Sequence, residues 1–233
     1  MIVFLRHAVK AKPRKNQASR ALRSIAANRQ AASSRLVRDV MHTPLVLASS
    51  SSYRRALLER LGLPFETISP DVDETPLPGE SPERTALRLA EAKAHVVPQP
   101  SRQTLVIGSD QVAEIDGVRL GKPGEHEAAV RQLILMRGKH VVFHTALCLR
   151  NSATGRLQLA NVPTTVEFRH IGDEEIERYL ARERPYDCAG SARIEGLGIA
   201  LAESVVSEDP TALIGLPLIA LVTMLRNEGV RVV

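Results

Sequence analysis

The sequence predicts an α/β protein, and three observations carry that expectation. Leu45–Ala48 and Leu105–Ile107 are short, wholly apolar runs, as suits strands covered on both faces. Segments with apolar residues at helical spacing alternate with them. The first run passes straight into such a segment through small hydroxyl residues, Ser49–Ser52. At 233 residues the chain is long enough for one large domain or two small ones.

The charge is unevenly spread. Residues 1–42 hold ten Lys/Arg and one acid, a net +9, whereas the remaining 191 hold 21 basic and 25 acidic residues, a net −4. The basic character therefore belongs to an N-terminal extension that is rich in Arg, Ser and Ala and has little apolar periodicity. A disordered basic arm, an organelle transit peptide and upstream sequence from a mis-assigned start compete as readings. The mis-assigned start, with Met41 as first residue, is favoured because Thr43-Pro44-Leu45 leads directly into a strand. No stretch reaches transmembrane length, and the run Leu216–Leu225 is broken by Pro217. Two cysteines far apart, Cys148 and Cys188, fit a reducing cytosol better than a disulfide framework.

Leu45–Ala48 is the first strand, and Ala56, Leu57, Leu58 and Leu61 mark a helix stopped by Gly62. The free amides where that helix begins make an anion site. Arg54 and Arg55 lie in its first turn, where helix stability alone disfavours cations. A bland reading is a polar serine loop with a cap; no Walker A pattern occurs anywhere. Phe65–Ser69 reads as a strand, followed by the proline-bracketed acidic loop Pro70–Pro76, whose three carboxylates offer oxygen ligands to Mg²⁺ or Mn²⁺. Ser81 as N-cap and Pro82 at the first position open a helix with the apolar face Ala86, Leu89, Ala90, Ala94, Val97. Lys93 falls on that face and either snorkels to its edge or projects into a cleft.

After Ile107, Gly108–Gln111 is expected to end the strand, which places Asp110 and Gln111 where ligands meet open α/β sheets. Past the turn at Asp116-Gly117 the chain returns with Gly121-Lys122-Pro123, so an acid, an amide and a lysine converge on one anionic ligand. The alternative is that Asp110 only closes its own turn. Glu125–Arg137 is a helix closed by Gly138, Val141–Leu149 and Leu157–Phe168 form a hairpin, and Asp173–Leu180 is a helix. His140 and His144 share a strand face without a third metal ligand. Glycines 190, 196 and 198 allow close backbone approach to a ligand, and Glu195 suits the amino groups of a base edge. Cys188 reads as a buried structural thiol rather than a nucleophile. A last helix spans Leu216 to Asn227.

In order, LASSSSYRR (47–55), VDET (72–75), EAKA (91–94), IGSDQV (107–112), GKP (121–123), CAGSARIEGLG (188–198) and DPTALIGLPL (209–218) resemble the Maf family of nucleoside triphosphate pyrophosphatases, most of all the branch acting on 7-methyl-GTP. The resemblance covers Leu45 to about Gly229 and none of residues 1–42. The charge distribution marks a basic extension over 1–42, and the resemblance implies a single nucleotide pyrophosphatase domain over 43–233. It also implies an inosine-triphosphatase-like α/β fold: a long, curved mixed sheet with helices in two lobes around a nucleotide cleft.

By motif position the resemblance makes Asp110 the proton acceptor, Glu74, Lys93 and Lys122 further active-site residues, and Ser49 and Arg54 phosphate-binding residues. Tyr53, Gln111 and Glu195 fall at the positions that separate substrate branches, where pyrimidine-preferring members usually carry Arg, Thr and Gln. Ser52 departs from the family's usual proline, and Tyr53 stands where this branch can carry tryptophan. The implied cofactor is a divalent cation, Mg²⁺, Mn²⁺ or similar, held by Glu74 and Asp110. The implied partner is a nucleoside triphosphate, with a homodimer left open, no membrane, and a cytoplasmic location. Competing readings are a dTTP/UTP pyrophosphatase of the same family, a nucleotide-sensing regulator of septum formation, and a nucleic-acid binder working through the basic arm.

Overall fold

The computed structural model describes residues 43–96 and 104–233. The basic extension and Val97 lie outside the described residues. Seven strands form one mixed sheet: β1 Leu45–Ala48, β2 Glu66–Ile68, β3 Leu105–Ile115, β4 Val118–Leu120, β5 His140–Asn151, β6 Leu157–Phe168 and β7 Ala202–Ser207. The helices are α1 Ser52–Glu59, α2 Pro82–Val96, α3 His126–Met136, α4 Asp173–Glu183 and α5 Leu218–Asn227. The path across the sheet is β2-β1-β3-β5-β6-β7, with β4 attached to β3. β1 is parallel to β2 and β3; the other pairs are antiparallel.

The long strand β3 organises the molecule. One edge pairs continuously with β5 from Leu105 to Glu114. The other edge is shared by β1, opposite Leu105–Gly108, and β4, opposite Ala113–Ile115. A gap therefore opens along Ser109–Val112, and the carboxyl ends of β1 and β4 run towards it from opposite sides. This corrects the sequence reading in one respect: the strand does not end at Ile107, and Asp110 and Gln111 are mid-strand residues. They still line an opening, because the neighbouring strands stop and leave this stretch of edge uncovered.

Strand alternation sorts the core onto two faces. On one face, Leu105, Ile107, Leu147 and Leu149 pack under α1 and α5, while Ala113, Ile115, Val141 and Phe143 pack under α3 and α4. These are the two expected lobes. Between them the same face turns polar at Ser109, Gln111 and Thr145, and the chain 209–217 crosses there. Ser109 Oγ donates to Gly215 O at 2.9 Å, Thr145 Oγ1 to Ala212 O at 2.9 Å, and Gln111 Nε2 to Ala212 O and Leu213 O at 3.1 and 3.0 Å. Asp209, 2% exposed, holds the crossing chain by accepting from Thr211 and from the Ile219 amide at 2.7 Å. α5 thus begins at Leu218, after Pro217, rather than at Leu216.

On the opposite face lies α2. Its alanines 86, 90 and 94 pack against Val46, Ala48, Val106 and Cys148. Contact is close enough that a Cβ on Gly108 would sit 2.1 Å from Ala90 O. Ser81 caps the helix as expected, its Oγ accepting from the Arg84 amide at 3.3 Å. Small residues at this contact let α2 lie low on the sheet, which brings Lys93 level with Asp110.

Candidate active site

The gap in the sheet opens into a cavity of about 560 Å³, and all nine residues singled out from the sequence line it: Ser49, Tyr53, Arg54, Glu74, Lys93, Asp110, Gln111, Lys122 and Glu195. They arrive on separate elements. The end of β1 delivers Ser49 and α1 delivers Tyr53 and Arg54. α2 contributes Lys93, β3 contributes Asp110 and Gln111, and the end of β4 leads into Lys122.

Lys93 projects into the cleft. Its Nζ donates to Asp110 Oδ1 and pairs with Glu74 Oε1, each at 2.6 Å, with its side chain 7% exposed. The two carboxylates respond in opposite ways. Burial is the largest influence on Asp110 and pushes its pKa up, against the pull of Lys93 and Arg54. Burial acts the same way on Glu74, but Lys93, Lys122 and Arg54 together outweigh it and hold that carboxyl below its usual range. Two carboxyl groups separated in this way can take different roles, with Asp110 the better proton acceptor.

The remaining acids of the 70–76 loop do not join them. Asp73 Oδ1 accepts from the Thr75 amide at 2.9 Å and closes a local turn. The loop is pinned from behind by Glu80, whose oxygens accept from Arg88, Thr85 Oγ1 and the Leu77 amide. The Arg88 hydrogen bond chiefly drives the Glu80 pKa down to about 2. Arg88 also donates to Thr75 O at 3.1 Å, next to Glu74 in the chain. Among the described residues no group of three or more His, Cys, Asp or Glu is arranged for a metal ion. Two carboxylates nevertheless suit Mg²⁺, which takes one or two from protein and fills its shell with phosphate oxygens and water.

At the start of α1, Ser51 caps the helix, accepting from the Arg54 amide at 3.3 Å, and Ser49 Oγ accepts from the Ser51 amide at 3.2 Å. Arg54 Nε donates to Gly215 O at 2.8 Å, the same carbonyl that Ser109 holds. The guanidinium is therefore fixed by the crossing chain and lies on the cavity wall. Arg54, Lys93 and Lys122 gather around Glu74 and Asp110, and Arg119, Asp187 and Glu195 also line the cavity.

Gln111 is more constrained than its position in the sequence suggests. Its Nε2 is committed to Thr145 Oγ1 at 2.9 Å and to the two crossing carbonyls, which leaves the amide oxygen as the group able to accept from a ligand. Tyr53 carries the Arg193 guanidinium over its ring, Cζ 5.2 Å from the centroid. Burial, with Cys188 and Asp187 nearby, pushes the phenol up to about 12, so it stays neutral. Cys188 is half-buried on the cavity wall rather than enclosed. Its thiol is also pushed up to about 12, chiefly by burial, which disfavours the thiolate near neutrality. His144 pairs with Glu114 at 3.0 Å, away from any metal-binding group.

Sequence reading missed Arg119, Asp187, Arg193 and the crossing chain around Gly215. Arg119 donates to Thr85 Oγ1 at 2.7 Å, and only the closeness of VRL to Lys122 hinted at it. For the Gly215 carbonyl the motif DPTALIGLPL marked the segment but not the role, since any residue presents a carbonyl.

A cleft built at a fork of a mixed sheet, with lysines and arginine meeting two carboxylates, defines a site for an anionic ligand. The family of the chain follows from its sequence: the model described as Maf-like protein matches residues 44–228, and the chain belongs to that family. Among curated relatives, a 7-methyl-GTP pyrophosphatase of Ralstonia nicotianae is 62% identical over 187 residues, 80% of this chain and 96% of that one. A protein of the same name from Methylobacillus flagellatus is 58% identical over 190 residues, 82% and 99% of the two chains. Two solved structures overlap in part. The nucleoside-triphosphatase / dITP/XTP pyrophosphatase of Mycobacterium abscessus has a TM-score of 0.38 at 18% identity, covering 55% of this chain and 76% of that one. The Ham1 protein of Staphylococcus aureus has a TM-score of 0.40 at 18% identity, covering 55% and 73%.

Proposed function

We propose that this protein is a nucleoside triphosphate pyrophosphatase that hydrolyses 7-methyl-GTP to 7-methyl-GMP and diphosphate, keeping a modified nucleotide out of nucleic acids in the cytoplasm. The observation that carries the reading is the gathering of the nine motif residues into one cavity, with cations grouped around Asp110 and acceptors on the wall. Relatives of this name matching nearly their whole length support it.

In this reading Arg54, Lys93 and Lys122 bind the triphosphate and stabilise the charge that builds on the departing diphosphate. Asp110, buried and raised in pKa, accepts the proton of the water that attacks the α-phosphorus. Lys93 orients Asp110 and keeps Glu74 beside it. Glu74 and Asp110 would hold a divalent cation, which when bound shields the phosphates and lowers the pKa of water. Tyr53 offers a neutral ring to a base that carries positive charge. Glu195 and the Gln111 oxygen accept from the N–H groups of a guanine edge, and neither can serve as donor to the carbonyl oxygens of a pyrimidine.

The test is a nucleotide panel assayed for diphosphate release with Mg²⁺ or Mn²⁺. The expected result is 7-methyl-GTP as the best substrate, with 7-methyl-GMP and diphosphate formed in equal amounts. Preference for dTTP or UTP would overturn the choice of base, and release of orthophosphate instead of diphosphate would overturn the reaction.

A further inference from the structure

We infer that Arg193, which does not itself line the cavity, is the positioning residue that ties the two base-reading side chains Tyr53 and Glu195 into one rigid unit. The inference rests on the proposed function and deepens it. Tyr53 belongs to α1 and Glu195 to a loop more than a hundred residues later, and both face the cavity. A base held between them needs their relative position fixed to well under an ångström-scale misplacement, since such errors are costly in catalysis.

Arg193 is built to supply that constraint. Its backbone is clamped on both sides: its amide donates to Tyr179 Oη at 3.0 Å, and its carbonyl accepts from the Gly196 and Gly198 amides at 3.1 and 2.9 Å. The closed turn so formed contains Glu195. A Cβ on Gly198 would lie 2.4 Å from Arg193 O, so the turn depends on glycine there. From this fixed base the side chain reaches Glu183 at the end of α4, its NH1 donating to Oε1 at 2.8 Å. The guanidinium then lies over the Tyr53 ring, with Nε 3.5 Å from Glu195 Oε1. That Nε is buried and, among the described residues, has no hydrogen-bond partner, and it faces the base-reading carboxylate. One planar cation thus touches both readers, and a planar fork can hold two partners at fixed geometry in a way a lysine ammonium cannot.

The experiment compares wild type with Arg193→Met and Arg193→Lys, using whichever nucleoside triphosphate wild type turns over best. Arg193→Met should raise KM about 10-fold while kcat stays within about 2-fold, because substrate positioning at the base end is lost and the reacting end is untouched. Inhibition by inorganic diphosphate, which has no base, should be unchanged. Arg193→Lys should recover part of the KM, and in a Tyr53→Leu/Glu195→Gln background Arg193→Met should add less than about 2-fold. An unchanged KM in Arg193→Met, or a parallel weakening of diphosphate inhibition, overturns the inference. Failure of the proposed function would show instead in the wild-type substrate panel.

Discussion

Replacing Asp110 by Asn separates catalysis from stability at the centre of this site. In the proposed mechanism this carboxylate accepts the proton of water, so turnover should fall at least ~100-fold, equivalent to ~2.7 kcal/mol in the barrier. Stability should hardly change. The amide weakens a charge-assisted bond to Lys93 Nζ, 2.6 Å long, worth ~1.5–3 kcal/mol. It also removes a buried charge that the fold disfavours, as the raised pKa shows. Lys93 keeps Glu74 as partner at 2.6 Å and is not orphaned. The two terms should cancel to within ~1.5 kcal/mol at neutral pH. Because the folded pKa of Asp110 lies above its unfolded value of 3.8, the folded state binds that proton more tightly. Wild type therefore gains stability relative to the Asn variant as pH falls through the folded pKa towards 3.8. The acid limb of wild-type activity should likewise lie above the ordinary aspartate range. Diphosphate release and urea denaturation, each followed across pH, check all four statements. Near-normal turnover, or a loss of stability above ~3 kcal/mol, would refute the reasoning.

Glu195→Gln should weaken 7-methyl-GTP by ~1–3 kcal/mol in kcat/KM and pyrimidine triphosphates less, since a guanine edge presents two adjacent N–H donors, N1–H and the N2 amine, where uracil or thymine presents one N3–H between two carbonyls; equal losses on both would contradict it. Gly108→Ala should cost ~1–3 kcal/mol, because its Cβ would meet Ala90 O at 2.1 Å and force α2 off the sheet. Activity should fall further than unfolding accounts for as Lys93 withdraws from Asp110, and an unchanged melting temperature and kcat would refute this. Removing residues 1–40 should leave melting temperature and kcat/KM unchanged, since the family match begins at residue 44; an insoluble or inactive product would make the extension part of the fold.

Local chemistry determined most of what the sequence by itself shows. Apolar runs set β1 and the start of β3, Ser81-Pro82 set the start of α2, and the turn at Asn151–Gly155 set the β5–β6 hairpin, because caps, turns and periodicity act within a few residues. The site residues were legible as types in motifs, and the structure brings them to one cavity. Three things needed the tertiary structure. Asp110 read as a residue beyond a strand end, yet it is mid-strand; only the pairing of β1 and β4 along one edge of β3 creates the opening. Lys93 could have snorkelled or entered the cleft, and the approach of α2 over Gly108 decided for the cleft. Finally, the chain 209–217 fixes Arg54 and Gln111 through backbone carbonyls, which every residue carries and no pattern distinguishes. Short-range preferences are written in residue types, whereas strand neighbours and carbonyl acceptors are chosen by packing across the whole chain.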